Sequence, residues 1–177
     1  PAILKLLKAE RGVQKVAFVA RNDSDGLSNR DDAVKAAKDL GLDVVSADAT
    51  YEANATDFFP VMSNVVATAP DLIFLPASAP SNTPLLMRAA RELGYAGLFA
   101  SDSGQDIKVI NEMAGDAGNG LVSIGGASAD AIRSEYMDEF IKAYTKVAGE
   151  WNDEAGTKVY ALEVILATLQ ATGPSAI

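Results

Sequence analysis

Three short segments of this chain carry oxygen-bearing side chains immediately after apolar runs. Asn22-Asp23-Ser24-Asp25-Gly26 follows Val16-Ala17-Phe18-Val19-Ala20, Ser78-Ala79-Pro80-Ser81 follows the run that begins at Leu72, and Ser101-Asp102-Ser103-Gly104 follows Leu98 to Ala100. A strand that ends in such a turn and leads into a helix sets small polar groups at the carboxyl edge of a sheet. In open parallel sheets that edge is where ligands collect. Ser24, Asp25, Ser78, Ser81, Ser101 and Asp102 are therefore the candidate ligand-binding residues. Their hydroxyls and carboxylates suit an amine or hydroxyl ligand, and helix N-terminal N–H groups suit an anionic one. Taken singly, each Ser or Asp reads first as a turn former or N-cap. The case for binding rests on the three loops together.

Other chemistry is narrowed by what the chain lacks. It has no Cys and no His, which removes thiol nucleophiles, disulfides, Cys/His zinc sites and Ser-His or Cys-His catalysis. An all-oxygen metal site stays open in principle, but the Asp-rich turn at 23–25 lacks the spaced ligands and closing Glu of a calcium loop, so no metal or other cofactor is expected. Dinucleotide and P-loop glycine motifs are absent, as is the Gly-x-Ser-x-Gly of esterases. Asp25 and Asp102 form the one conceivable catalytic pair, as general acid–base chemistry requires two such groups. The formal charge of −9 speaks against nucleic-acid and anionic-membrane surfaces. Tyr136, Tyr144, Trp151 and Tyr160 read as packing residues rather than ligand stackers, and Met62, Met87, Met113 and Met137 as core filler.

The elements that must position these loops alternate along the first two-thirds of the chain. Strands are expected at 15–20, 42–46, 72–75, 98–100 and 121–124. Helices are expected over 1–11, closed by Gly12, and over 27–40, closed by Gly41. A third begins with Thr56 and Asp57 as N-cap candidates, and a fourth has Thr83 as N-cap, Pro84 as its first helical residue and Gly94 as its stop. A short one covers 107–114. Strands separated by helices pair in parallel through right-handed crossovers. The expected fold class is α/β: a doubly wound, mostly parallel five-stranded sheet in the flavodoxin-like order 2-1-3-4-5, flanked by helices. After Gly125-Gly126 the pattern changes to two consecutive helices, 131–148 and 157–172. Residues 1–126 are thus expected to form the ligand-binding lobe and 127–177 a C-terminal helical segment.

A specific resemblance is carried by motifs in a fixed order. Lys15-Val16-Ala17-Phe18-Val19 with Asn22 to Gly26 is followed by Ala55-Thr56-Asp57-Phe58 and Ala69-Pro70-Asp71-Leu72-Ile73-Phe74. Next come Ala90-Arg91-Glu92-Leu93-Gly94-Tyr95, Ala114-Gly115-Asp116-Ala117 and Gly120-Leu121-Val122, then Phe140-Ile141-Lys142-Ala143-Tyr144 and Val159-Tyr160-Ala161. Across most of residues 1–172 the chain resembles the second lobe of a type I periplasmic binding protein, in the branched-chain amino-acid (Leu/Ile/Val) receptor family of ABC transporters.

The resemblance implies a non-enzymatic receptor that closes two lobes over a small amino-acid-like solute by hinge motion and hands it to a membrane permease, outside the cytoplasm. It gives Asp102 the role of partner to the ligand's ammonium. It also marks two departures: Asp25 stands where the family has an aromatic, and only small residues surround Ala77 to Ala79, where an aromatic is frequent. Both favour a ligand smaller or more polar than leucine. Beginning at Pro1 without an initiator Met, the chain reads as a processed or trimmed piece. The first lobe's strands, which precede this segment in the family, are not in it. The final helices would pack on that lobe, so in its place they are expected either to self-associate, lying against another copy of the chain, or to leave an exposed apolar face. Two alternatives stand beside this reading: a ligand-sensing regulatory domain of the same fold, and an α/β enzyme using Asp25 and Asp102.

Overall fold

The computed structural model describes residues 2–125, 133–152 and 155–173. The chain divides into two compact units, Pro1–Ile124 and Gly125–Ile177. The first holds five strands, β1 (Lys15–Arg21), β2 (Asp43–Tyr51), β3 (Leu72–Phe74), β4 (Leu98–Ser101) and β5 (Leu121–Ser123). They form one sheet in the order β2-β1-β3-β4-β5, with every pairing parallel. Five helices connect or flank them: α1 (Ala2–Arg11), α2 (Ser24–Asp39), α3 (Phe59–Val66), α4 (Thr83–Glu92) and α5 (Ile107–Ala114). The second unit contains α6 (Glu135–Ala148) and α7 (Ala161–Thr172).

The apolar run at 16–20 is explained by burial on both sides of the sheet, as parallel strands require. Val16 and Phe18 point into one layer with Leu4 and Leu7 of α1 and Ala33 and Ala37 of α2. Ala17 and Val19 point into the other, with Met62 and Val65 of α3 and Leu86, Met87 and Ala90 of α4. The helices fall on these faces because right-handed crossovers leave β1 toward β2 on one side and β2 toward β3 on the other. The reversal of direction between β1 and β3 is the topological switch point, where the carboxyl-end loops splay apart.

Differences from the expected elements have local causes. β2 runs on past Ser46 to Tyr51, pairing with β1 up to Arg21↔Tyr51 with two register irregularities. The cap of α4 is Asn82 rather than Thr83, because the Thr83 hydroxyl bonds instead to Ser78 Oγ at 2.9 Å and the Ala79 carbonyl at 3.1 Å. α3 is capped at Phe58 without a side-chain bond, while Asp57 accepts from the Phe59 N–H one residue further on. The expected helix over 131–148 begins in part outside the described residues. The one over 157–172 starts at Ala161 after a short 3₁₀ turn at Ala155–Thr157.

The opposite, amino-terminal edge of the sheet is tied by two polar residues. Asp71 accepts from the backbone N–H groups of Gln14 and Lys15 at 2.9 and 2.8 Å, and these bonds hold its carboxyl below the ordinary aspartate range. Arg91 donates to the carbonyls of Tyr95, Gly97 and Asn119 with its guanidinium 4.7 Å from the Phe99 ring centre. Neither belongs to the ligand edge.

Candidate functional site

The loop after β1 is built around Asp23. Its carboxylate caps α2 by accepting from the Gly26 N–H at 2.8 Å and pairs with the Arg21 guanidinium. The hydrogen bond from Arg21, then that from Gly26, lowers the Asp23 pKa below its usual value. Arg21 is raised by the same bond, against the opposing effect of burial. Gly26 has no alternative here, since a Cβ at this position would lie 2.2 Å from the Arg21 carbonyl oxygen. Asp25 is exposed and already engaged: Oδ1 accepts from Asn29 Nδ2 at 2.9 Å and Oδ2 lies 3.4 Å from Arg21. Ser24 opens α2 and is exposed. With two carboxylates at its first turn, the α2 N-terminus is electrostatically occupied and disfavours an anionic group.

The loops after β3 and β4 are joined to each other. Asp102 Oδ1 accepts from the Ala77 N–H at 2.7 Å, and Ala77 holds a left-handed backbone, φ +48°, uncommon for a residue with a Cβ. The second oxygen of Asp102 takes no hydrogen bond from any described residue. Ser78 and Ser101 lie beneath this surface, 1% and 0% exposed. Ser78 Oγ is 3.3 Å from the Tyr51 hydroxyl and accepts from Thr83. Ser101 Oγ accepts from the Ser103 N–H at 3.2 Å and from Gln105 Nε2 at 3.4 Å, and Gln105 Nε2 also donates to the Ser78 carbonyl at 3.1 Å. Burial pushes the Tyr51 phenol up, with the Ser78 contact opposing. Ser81 is exposed.

The six candidates therefore take three positions on one sheet edge. Asp102 presents an unengaged carboxylate oxygen, Ser24, Asp25 and Ser81 stand at the surface, and Ser78 and Ser101 form the internal support. Asp25 and Asp102 are each committed to separate partners, with no contact between them. Arg21, Tyr51 and Gln105 complete the edge and were not singled out from the sequence. Gln105 carried a readable signal, a polar residue beside an N-cap Asp after a Ser-Asp-Ser-Gly turn. Tyr51 carried none, because the end of β2 is apolar-poor.

A hollow of about 850 Å³ is a different feature. It lies over α1 and α2 with Ile3, Ala33, Ala36, Leu40, Phe74 and Ile124 in its wall, and of the candidates only Asp102 reaches it. No group of three or more acidic side chains among the described residues is disposed to hold a metal ion.

A five-stranded parallel sheet with a switch point between its first and third strands, carrying a carboxylate and hydroxyls on that edge, defines a doubly wound α/β lobe. The profile of the family described as "Periplasmic binding protein" matches residues 1–176, and the chain belongs to that family. Among solved structures, the chain is similar to an extracellular ligand-binding receptor from Rhodopseudomonas palustris, at 20% identity and a TM-score of 0.81, covering 93% of this chain and 47% of that one. A leucine binding protein, LivK, from Thermotoga maritima MSB8 matches at 20% identity and TM-score 0.79, over 96% and 48% of the two chains. A fatty acid ABC transporter substrate-binding protein from Thermomonospora curvata matches at 19% and 0.69, over 89% and 43%. These likenesses establish a type I periplasmic-binding-protein fold, and the chain spans just under half the length of each protein. No curated protein sequence matches it.

Proposed function

We propose that this chain is the second ligand-binding lobe of an extracytoplasmic solute-binding protein. It holds an amino acid or a related small polar metabolite without transforming it and serves the membrane permease of an ABC transporter. One observation carries the reading: Asp102 stands at the switch-point edge with one oxygen pinned by the Ala77 N–H and the other taking no hydrogen bond from any described residue. A carboxylate fixed in this way is suited to an ammonium group, since a charge-assisted bond to a pre-oriented acceptor loses little entropy on forming. The ionic and hydrogen-bonded commitments of Asp25 support an accessory role there, lining the cleft as a polar wall in place of an aromatic one. Family membership supports binding over catalysis, and the hydrogen bonds of Asp25 to Asn29 and of Asp102 to Ala77 support binding and structural roles for the two carboxylates. The extracytoplasmic setting rests on the family, and no helix among the described residues is long and apolar enough to cross a membrane.

The test is a thermal-shift screen of the natural protein that contains this chain, against single amino acids, small amines and small carboxylates. A solute present at 100 times its Kd stabilises by about 2.7 kcal/mol. Asp102→Asn should remove the shift for amines and spare that for des-amino analogues. Equal amine binding by Asp102→Asn would refute the assignment.

A further inference from the structure

The loops after β3 and β4 are tied twice. Asp102 reaches back to the Ala77 N–H, and Gln105 reaches back to the carbonyl of the next residue, Ser78. The two bonds run between the same pair of loops, so each constrains the geometry of the other. Gln105 is 5% exposed, and its amide orientation follows from its partners: Nε2 faces the Ser78 carbonyl, which can only accept. Turning the amide over would set two acceptor oxygens against each other. That orientation leaves Gln105 Oε1 buried with no donor among the described residues. Ser101 is in the complementary position. Its oxygen accepts from Ser103 and Gln105, and its own hydroxyl proton has no acceptor among the described residues. A buried acceptor and a buried donor, held on neighbouring side chains, suit one small group that both donates and accepts. A water molecule meets that requirement, and an ammonium group, which cannot accept, does not.

We propose that Gln105 is a positioning residue of the candidate site, holding the loops after β3 and β4 in register through its amide and through one internal water shared with Ser101, and thereby fixing the carboxylate of Asp102. The proposal rests on the reading of Asp102 as the ligand's partner, because only then does this register bear on recognition. Gln105 touches no ligand itself. Its effect reaches the site through the Ala77–Asp102 bond, so that bond is the quantity to measure.

The experiment uses the uniformly ¹⁵N-labelled 177-residue chain without added solute. In the wild type, water-to-amide cross-relaxation should appear at the Gln105 side-chain NH₂, and its absence would overturn the hydrated joint. Gln105→Met keeps the volume and removes the tie. Exchange protection at the Ala77 N–H should fall by about tenfold, the size of a lost buried hydrogen bond, while the core amides of β1 and β3 keep theirs. Ser101→Ala keeps the Gln105–Ser78 bond but removes one partner of the water, so Ala77 protection should fall less than in Gln105→Met, by about threefold; a loss as large as that of Gln105→Met would overturn the role of the amide tie.

Gln105→Glu supplies the pH-dependent arm. A neutral carboxyl can donate to the Ser78 carbonyl and a carboxylate cannot. Protection at Ala77, normalised to intrinsic exchange, should be near wild type at about pH 5 and lost at about pH 7, since burial raises a carboxyl pKa into this interval. This arm stands if Gln105→Met fails to fold. Unchanged Ala77 protection in Gln105→Met, or pH-independent protection in Gln105→Glu, would overturn the proposal. These readouts need no ligand. Failure here removes the role of Gln105 alone, whereas an unaffected amine shift in Asp102→Asn removes the functional reading and leaves the Gln105 result standing.

Discussion

Two aspartates at opposite edges of the same sheet do different work with the same group. Asp102, at the carboxyl edge, accepts from the Ala77 N–H with one oxygen, and the other takes no hydrogen bond from any described residue. Asp71, at the amino edge, spends one oxygen on two backbone N–H groups, those of Gln14 and Lys15. It is a structural tie, and its consequence is a pH dependence. Its pKa is depressed in the folded chain, chiefly by the Lys15 and Gln14 hydrogen bonds. The stabilisation is therefore present above the unfolded aspartate value of about 4 and is lost as pH falls through the lower folded value. Asp71→Asn keeps an acceptor but cannot titrate, so it should lose less stability than wild type over that acid window. Asp71→Ala should cost about 1 kcal/mol near neutrality, because it leaves two N–H groups to water. Urea midpoints measured from neutral to acid pH distinguish the two effects, and parallel acid limbs in wild type and Asp71→Asn would show that Asp71 is not responsible.

The entry into α2 shows how tightly an element and its loop are coupled. The helix begins where Asp23 caps it, and it can begin so close to β1 because Gly26 lies against the Arg21 carbonyl. Gly26→Ala would force a methyl into backbone that cannot retreat, and a loss of about 3 kcal/mol is expected, at the upper end for overpacking. Asp23→Ala removes a cap and should cost about 1 kcal/mol. Chemical denaturation of both variants tests the ranking, and a Gly26→Ala loss smaller than that of Asp23→Ala would contradict the close approach.

Much of this architecture was legible in the sequence. Apolar runs mark β1, β3, β4 and β5, and Gly12, Gly41 and Gly94 stop their helices with positive φ angles that glycine adopts without strain. The end of β2 was not legible, because Asp48, Ala49 and Thr50 carry no strand pattern and are held there by pairing with β1. For the same reason Tyr51, and with it the hydroxyl network under Ser78, could not be foreseen. Thr83 was read as a cap from its place before Pro84, but tertiary hydrogen bonding to Ser78 claims its hydroxyl. At the site, the loops themselves could be read from residue types. Their internal order could not, because which serine is buried depends on partners distant in the chain.

At the scale of the whole molecule, the buried apolar residues divide unequally between the two units. Apart from Met137 and Val159, every buried hydrophobic among the described residues lies between Leu4 and Ile110. Among the described residues, those of both core layers all belong to the first unit. The second unit has an aromatic set of its own, Phe140, Tyr144 and Trp151, with Tyr136 stacked on Tyr160. It also carries α7, whose one charged residue is Glu163 and whose Val164, Ile165 and Leu166 are 62%, 55% and 48% exposed. Such a helix draws its stability from packing an apolar face rather than from propensity, since twelve residues are marginal in water. Two outcomes follow for the chain as it stands. A shortened chain of residues 1–124 should unfold cooperatively in a thermal melt followed by circular dichroism, because its core is complete. The 177-residue chain should bind an apolar-surface dye or associate as its concentration rises, and the shortened chain should do neither. Val164→Lys with Ile165→Glu in the full chain should suppress the dye signal and the association while leaving the main unfolding transition within about 0.5 kcal/mol, as expected of surface substitutions. A monomeric, dye-silent 177-residue chain would show that α7 is covered from within, and a 1–124 chain without a cooperative transition would show that the sheet needs the helical unit to fold.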